Sequence, residues 1–273
     1  MSTKSRKKTV LVLLATALVL FMMFPYYYML IQSLAPWEKV DQSLTPAGFS
    51  LDSFRFLMTN GGNQNPYMWL RALANSVIVT TTTSLLAVVT GMLVGYAIIK
   101  LRFAGHRFVF NVLLFQMFFP AIIMLVPIYL MMKPLANTYP GMILPTSVSL
   151  WAIFMFINYF KTLPEEVFEA ARLDGASEFR ILWIIGFPAA RTVAVIVFLS
   201  IFMGRWSELM WDMLIAPNIK MQTLNVLITT QFKPMGNLPG PLYAASVILT
   251  LPIVALCLAF SRYFKEGLTF NLK

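Results

Sequence analysis

Cysteine and histidine are almost missing from this chain: Cys257 and His106 are single occurrences in 273 residues. One cysteine in an apolar run excludes a disulfide framework and a thiol metal site. His106 stands beside Arg107 in a short connection, the setting of a solvated residue rather than a ligand. Charge is scarce as well. Asp, Glu, Lys and Arg supply 12% of the residues, half of the roughly 25% usual for a soluble domain. No G-x-x-x-x-G-K-[ST] occurs, so the chain builds no phosphate-cradling loop. Neither H-E-x-x-H nor G-x-S-x-G is present, and the carboxylates gather in one connection instead of facing one another. The chain is therefore read as non-enzymatic, with no cofactor or metal of its own. A formal charge of +10 suits nucleic acid poorly, because no basic block exists beyond Lys4–Lys8. A membrane protein with cations at its cytoplasmic ends carries the same excess.

Long apolar runs are what the chain has: 59% of it is hydrophobic. Six runs, about 10–34, 72–99, 108–132, 142–160, 192–215 and 243–260, approach the ~20 residues a helix needs to cross the hydrocarbon. They predict an all-α membrane protein, residues 1–273 forming one domain of six transmembrane helices. "KSRKK" before the first run, with no small-residue cleavage site after it, reads as an uncleaved signal-anchor. Pro25 and the "YYY" that follows predict a kink near the outer interface, where tyrosine rings settle. Fourteen Lys and Arg fall on one side of the spans against six on the other, which places both termini in the cytoplasm. Two outer connections, 35–71 and 216–242, are long. They either link spans or touch something outside.

Five of the six runs contain no acid, and intramembrane acids are the usual mark of proton or sodium coupling. Glu208 and Asp212 come nearest, flanking "LMW" at the outer end of the fifth run, where an interfacial cluster rimmed by tryptophan accounts for them. Gly91 and Gly95 in "GMLVG" have a spacing that lets helices approach closely. Uncharged polar groups also fall within runs: Asn75, Thr80–Ser84, Asn111, Gln116 and Asn158. Such groups bond to a neighbouring helix or face a cavity.

One stretch does not fit a greasy chain. "LPEEVFEAARLDGASEFRILWIIGFP", residues 163–188, holds Glu165, Glu166, Glu169, Asp174 and Glu178, five of the eleven acids. Pro164 suits a first helical position, and acids in the opening turns complement the helix dipole. Glu169 and Arg172 are spaced to pair along the surface. Gly175 can close the helix in the left-handed conformation, and Ser177 can cap a second helix that stops near Gly186 and Pro188. Ala170 and Ala171, set among the charges, keep the first helix slim enough to enter a cleft on another protein. The other reading is an amphipathic helix lying on headgroups; such helices favour Lys and Arg on the polar face, and this one is net acidic.

"EAARLDGASEFRILWIIGFP" resembles the cytoplasmic signature of ABC-importer permeases: Glu-Ala-Ala, Gly four residues after the second Ala, then an apolar run ending in Pro. "LANSVIVTTTTSLLAVVTGMLVGYAIIKLRFAGHRF", "FFPAIIMLVPIYLMM", "LANTYPGMILP" and "LYAASVILTLPIVALCLAFSRYFKEGLT" resemble, in order over about residues 70–270, the carbohydrate importers of the maltose and glycerol-3-phosphate type. The resemblance implies a non-catalytic inner-membrane permease. Its loop 163–188 would be a coupling helix docking on a separate ATPase, which binds the ATP and Mg. By position Glu169, Ala170, Ala171 and Gly175 match the signature, and Asp174 adjoins its Gly. It further implies a second permease, two ATPases and an external solute-binding protein, to which 35–71 and 216–242 would be exposed. Gln116, Asn158, Trp206 and Ser207 are candidates for the substrate pathway. Departures are Ser207 where the family has Asn, "AARTV" after Pro188 and "GLTFNLK" at the tail. A carbohydrate is the expected cargo; a polyol, glycerol phosphate or polyamine would use the same architecture, an ion-coupled transporter or a pathway-free scaffold would not.

Overall fold

The computed structural model describes residues 3–59, 67–232 and 239–261, with side chains described from residue 7 and not at 231–232. The tail motif, residues 60–66 and 233–238 of the two long connections, and the side chains of Lys4 and Arg6 lie outside the described residues. Every regular element among the described residues is helical. Four helices are long and apolar enough to cross a membrane: Lys7–Ser33, Met68–Leu101, Glu178–Trp206 and Pro239–Ala259. Two bent pairs pass the same test together, His106–Gln116 with Ala121–Leu135 at 106° and Tyr139–Thr146 with Leu150–Thr162 at 45°. This is an all-α multi-pass membrane protein with four spans, or up to six if each bent pair is one.

Proline sets both bends. Between α4 (His106–Gln116) and α5 (Ala121–Met132) the chain makes successive i→i+3 turns at Met117–Phe119, then Pro120 takes an extended conformation at ψ 127°. The residue before a proline is pushed away from helical dihedrals. In the second pair, Pro145 tightens a 3-10 turn after α6 (Tyr139–Ile143). Ser149 then caps α7 (Leu150–Thr162), its Oγ accepting from the Ala152 amide.

The chain divides into two compact units. The first holds 1–69 and 227–252. In it α1 (Thr3–Ser33) runs through Pro25 as one helix. The hydroxyls of Tyr28 and Tyr243 both donate to Asp41 Oδ1, at 2.8 and 2.7 Å. Trp37 Nε1 donates to Ser53 Oγ at 3.1 Å, on α2 (Asp52–Met58). Part of the connection 35–71 is thus an ordered cover rather than a loose tether.

In the second unit, 70–226 with 253–273, the later turns of α3 (Met68–Tyr96) approach α7 closely. Gly91 and Gly95 sit at that contact. A Cβ on Gly95 would meet Phe156 Cβ at 2.8 Å and the Ile157 backbone nitrogen at 3.1 Å, so these glycines set how closely the helices approach. Phe156, Phe160, Phe168, Ile181 and Val197 form the buried core there. The polar stripe of α3 faces protein. Asn75 Nδ2 donates to the carbonyls of Lys220 and Gln222 at 3.1 and 3.0 Å, while its Oδ1 accepts from Tyr139 at 2.7 Å. Ser76 Oγ accepts from the Leu224 amide at 2.8 Å. These side chains satisfy the non-helical backbone before α12 (Leu224–Leu227), a condition for placing such a segment beside spans.

The fifth span differs from the sequence expectation. α9 (Glu178–Ile181) does not stop at Gly186. It passes through a π turn, Leu182–Gly186, into α10 (Phe187–Trp206). Pro188 has no N–H to give, and the wider turn directly before it re-registers the ladder, so that the helix continues past it. The helix that carries the fifth apolar run therefore extends from Glu178 to Trp206, not from 192 to 215.

Candidate functional site

The acidic stretch folds as one helix and a sharp turn. α8 (Glu165–Leu173) starts after Pro164, which takes an extended conformation at ψ 134° and is the cap rather than the first helical residue. Gly175, at φ 78°, closes it. The Gly175 amide donates to the Arg172 carbonyl at 3.0 Å and the Ala176 amide to the Ala171 carbonyl at 3.1 Å. This pair of bonds is the Schellman closure, which needs a left-handed residue at the position glycine occupies. Ser177 then caps α9, its Oγ accepting weakly from the Arg180 amide at 3.4 Å.

Two faces of α8 differ sharply. Inward, Phe168 is buried and Ala171 packs against the same core. Outward, Glu166, Glu169, Ala170, Asp174 and Gly175 are exposed, and Leu173 is 89% exposed. Ala170 is therefore on the free face as expected, whereas Ala171 is on the packed one. The two alanines lie about 100° apart round the helix, so they cannot share a face.

A polar network fixes the inward side. Lys100, whose side chain is 2% exposed, donates to Glu165 Oε2 and to the Leu163 carbonyl, both at 2.9 Å. Its ammonium also lies 4.4 Å from the centre of the Phe168 ring, a favourable cation–π distance. Arg172 joins three elements. Its Nε donates to Glu178 Oε1 at 2.7 Å, Nη2 to the Lys100 carbonyl at 3.0 Å, and Nη1 lies 3.5 Å from Glu165 Oε1. Tyr96 donates to the other Glu178 oxygen at 2.6 Å. Arg172 does not pair with Glu169, because Glu178 and Glu165 occupy it on the inner side. The hydrogen bond from Lys100 holds the Glu165 carboxyl below the usual carboxylate range, and that from Arg172 to Glu178 holds the guanidinium above its ordinary value. Charge-assisted bonds of this kind are about twice as strong as neutral ones. The exposed helix is thus clamped to the end of α3 and the start of α9.

Lys100 and Tyr96 escaped the sequence reading. A lysine ending an apolar run looks like a cation reaching for water, and nothing local ties it to Glu165, 65 positions later.

The remaining candidates lie apart from this helix. Gln116 and Asn158 are exposed on α4 and α7. Trp206 is buried and stacks on Phe202, ring centres 5.6 Å apart. Ser207 is exposed, its Oγ bonded to the carbonyls of Met203 and Gly204. Next to them, the acids of "RWSELMWD" have structural partners. Arg205 grips Asp212 with two nitrogens, at 2.9 and 2.6 Å, both side chains at most 4% exposed. Glu208 Oε1 accepts from the Leu209 and Trp211 amides at the start of α11 (Met210–Ile215). His106 opens α4, Nδ1 2.9 Å from the Phe103 carbonyl.

Several apolar helices, with a short amphipathic helix held on a connection between them, define a multi-pass membrane protein. The family model for the inner membrane component of binding-protein-dependent transport systems matches residues 87–269. The chain belongs to this family, the membrane permeases of ABC importers. It is 31% identical to the arabinooligosaccharides transport system permease protein AraQ of Halalkalibacterium halodurans, over 90% of this chain and 89% of that one. It is 28% identical to the Escherichia coli inner membrane ABC transporter permease protein YcjP over 90% and 89%. The sn-glycerol-3-phosphate permease protein UgpE of Escherichia coli is 28% identical over 90% of both chains. In structure the chain is similar to a chain of a bacterial ABC transporter involved in import of the acidic polysaccharide alginate. The TM-score is 0.83 at 21% identity, covering 97% of this chain and 99% of that one, a likeness of fold. Family membership makes this a non-catalytic transport subunit of the inner membrane.

Proposed function

We propose that this chain forms half of the translocation pathway of a carbohydrate importer and that α8 is its coupling helix. The observation that carries the coupling reading is the contrast between the two faces of α8. A helix clamped by Lys100 and Arg172 on one side exposes Leu173 almost fully on the other, and an exposed leucine on a rigid net-acidic helix is what a receiving groove would bury. Glu169, Ala170, Asp174 and Gly175 line the exposed face, and Ala171 fixes its seat. In this reading two ATPases hydrolyse ATP and move α8 as a rigid body, and the clamp passes the motion to α3 and α10. The membrane domain would be 1–273, with six spans, 163–188 as its coupling loop and both termini cytoplasmic. A second permease completes the pathway. A solute-binding protein meets 35–71 and 216–242, and Gln116, Asn158, Trp206 and Ser207 contribute to the path. The sugar reading is supported by the arabinooligosaccharide and alginate systems among the relatives; UgpE supports a sugar-sized phosphate ester as the alternative.

The test is a pull-down of the chain co-expressed with the ATPase and second permease encoded beside it. Wild type is expected to retain the ATPase and Glu169→Lys to lose most of it, since the change reverses charge on an exposed face without touching the clamp. Equal retention by both, with uptake unimpaired, would remove α8 from the coupling role.

A further inference from the structure

The turn joining α3 to α4, "RFAGHR", carries two arginines that make no ion pair within the clamp. Arg102 holds a left-handed conformation, φ 46°, which residues with side chains rarely take. Its Nε donates to the Ile99 carbonyl at 3.1 Å. Arg102 and Arg107 both border a cavity of about 530 Å3, which Lys161 at the end of α7 also lines. Ile98 and Phe110 supply apolar lining, and the Lys161 ammonium lies 5.6 Å from the Phe110 ring centre. Glu165 is the single acid lining the cavity among the described residues, and Lys100 already holds it at 2.9 Å. Arg102, Arg107 and Lys161 are exposed and have no ion-pair partner among the described residues. Cations that merely end a span reach separately for water. These three, from two different connections, border one concave, partly apolar site instead.

We propose that this cavity binds the head of an anionic phospholipid, its phosphate among Arg102, Arg107 and Lys161 and its first acyl carbons against Ile98 and Phe110. The volume falls within the roughly 300–1,000 Å3 of small-ligand sites, and basic pockets between helices at a membrane face are suited to anionic headgroups. Assigning the lipid to the inner leaflet rests on the cytoplasmic placement of α8. Leu163 and Glu165, which anchor α8, line the same cavity, so an occupied site braces the base of the coupling helix.

The assembled transporter, stripped of lipid in detergent, would be titrated with phosphatidylglycerol, phosphatidylcholine or inorganic phosphate and read by native mass spectrometry. Wild type should retain phosphatidylglycerol in preference to phosphatidylcholine. A cation near an anionic lipid surface contributes roughly fivefold to binding, so the Arg102→Gln, Arg107→Gln, Lys161→Gln triple variant should lose on the order of a hundredfold. A control variant with Lys4, Lys7 and Lys8 changed to Gln should lose little. Equal losses in both variants would reduce the effect to diffuse charge and overturn the site. Full competition by inorganic phosphate would assign the cavity to a soluble anion and overturn the lipid. Loss of the ATPase from the triple variant with lipid retention unchanged would make the cavity part of a protein interface. Retained ATPase in wild type keeps the coupling reading intact whichever way the lipid result falls.

Discussion

Lys100 is the residue on which the clamp turns. Its ammonium is buried, while its partner Glu165 keeps 32% of its side chain exposed. Removing the carboxylate leaves a buried charge short of a partner; removing the lysine leaves an acid that water can reach. Glu165→Ala is therefore expected to cost about 2 kcal/mol and Lys100→Met about 1 kcal/mol, and the double variant should fall near Lys100→Met alone. Thermal unfolding midpoints in detergent check the order. Acid acts on the same pair. A carboxyl that titrates lower folded than unfolded contributes stability in full above its unfolded value, about 4.3. That stability disappears as pH falls through the folded value. Glu165 has this sign, so α8 should stay immobile at neutral pH and loosen well below pH ~4. A spin label at exposed Leu173→Cys reads the change, and in Lys100→Met the loosening should set in at higher pH.

Among the elements, α8 depends on its ending. Gly175 lies at φ 78° with nothing within 4 Å of where a Cβ would stand, so any cost of substitution there is conformational rather than steric. Gly175→Ala should lose about 1 kcal/mol. Gly175→Pro should lose more, because proline cannot reach that φ and gives up the amide that bonds Arg172. ATP-driven uptake is expected to fall modestly in the first and nearly to zero in the second. Normal uptake by Gly175→Pro would show that the closure of α8 does not matter. The end of α8 was legible in the sequence because glycine after an amphipathic helix has a local cause. The run-on of α9 into α10 was not, since a π turn that absorbs Pro188 has no composition of its own.

For the whole molecule, sidedness is the first thing to measure. Cys257 is the single native cysteine, so a Cys257→Ala background gives a clean start. In the chain expressed without its ATPase, Leu173→Cys should resist a membrane-impermeant thiol reagent in sealed right-side-out vesicles and react once they are opened. Thr45→Cys, exposed in the connection after α1, should react in both. Reversed labelling would turn the proposed topology over, and with it the role of α8. The buried Arg205–Asp212 pair bears on the energy source. Glu208 and Asp212 each have fixed partners, which fits structural acids rather than a proton path.

The sequence by itself determined the class: apolar runs of spanning length and sparse charge specify a helical membrane protein, since those signals are local and periodic, and the resemblance of its acidic stretch and of about residues 70–270 implies an ABC-importer permease. It also located α8, because capping, dipole charge and a left-handed glycine are short-range physics. Tertiary structure alone decided what α8 rests on. Lys100, Tyr96 and Glu178 meet Arg172 only when α3, α8 and α9 pack together, and the polar stripe of α3 finds its partners about 145 positions away. It decided likewise that two of the apolar runs fold as bent helix pairs and that the helix through the fifth run starts at Glu178. Hydropathy counts apolar residues along a segment; it carries no record of where the axis turns or which distant charge lies beneath a helix.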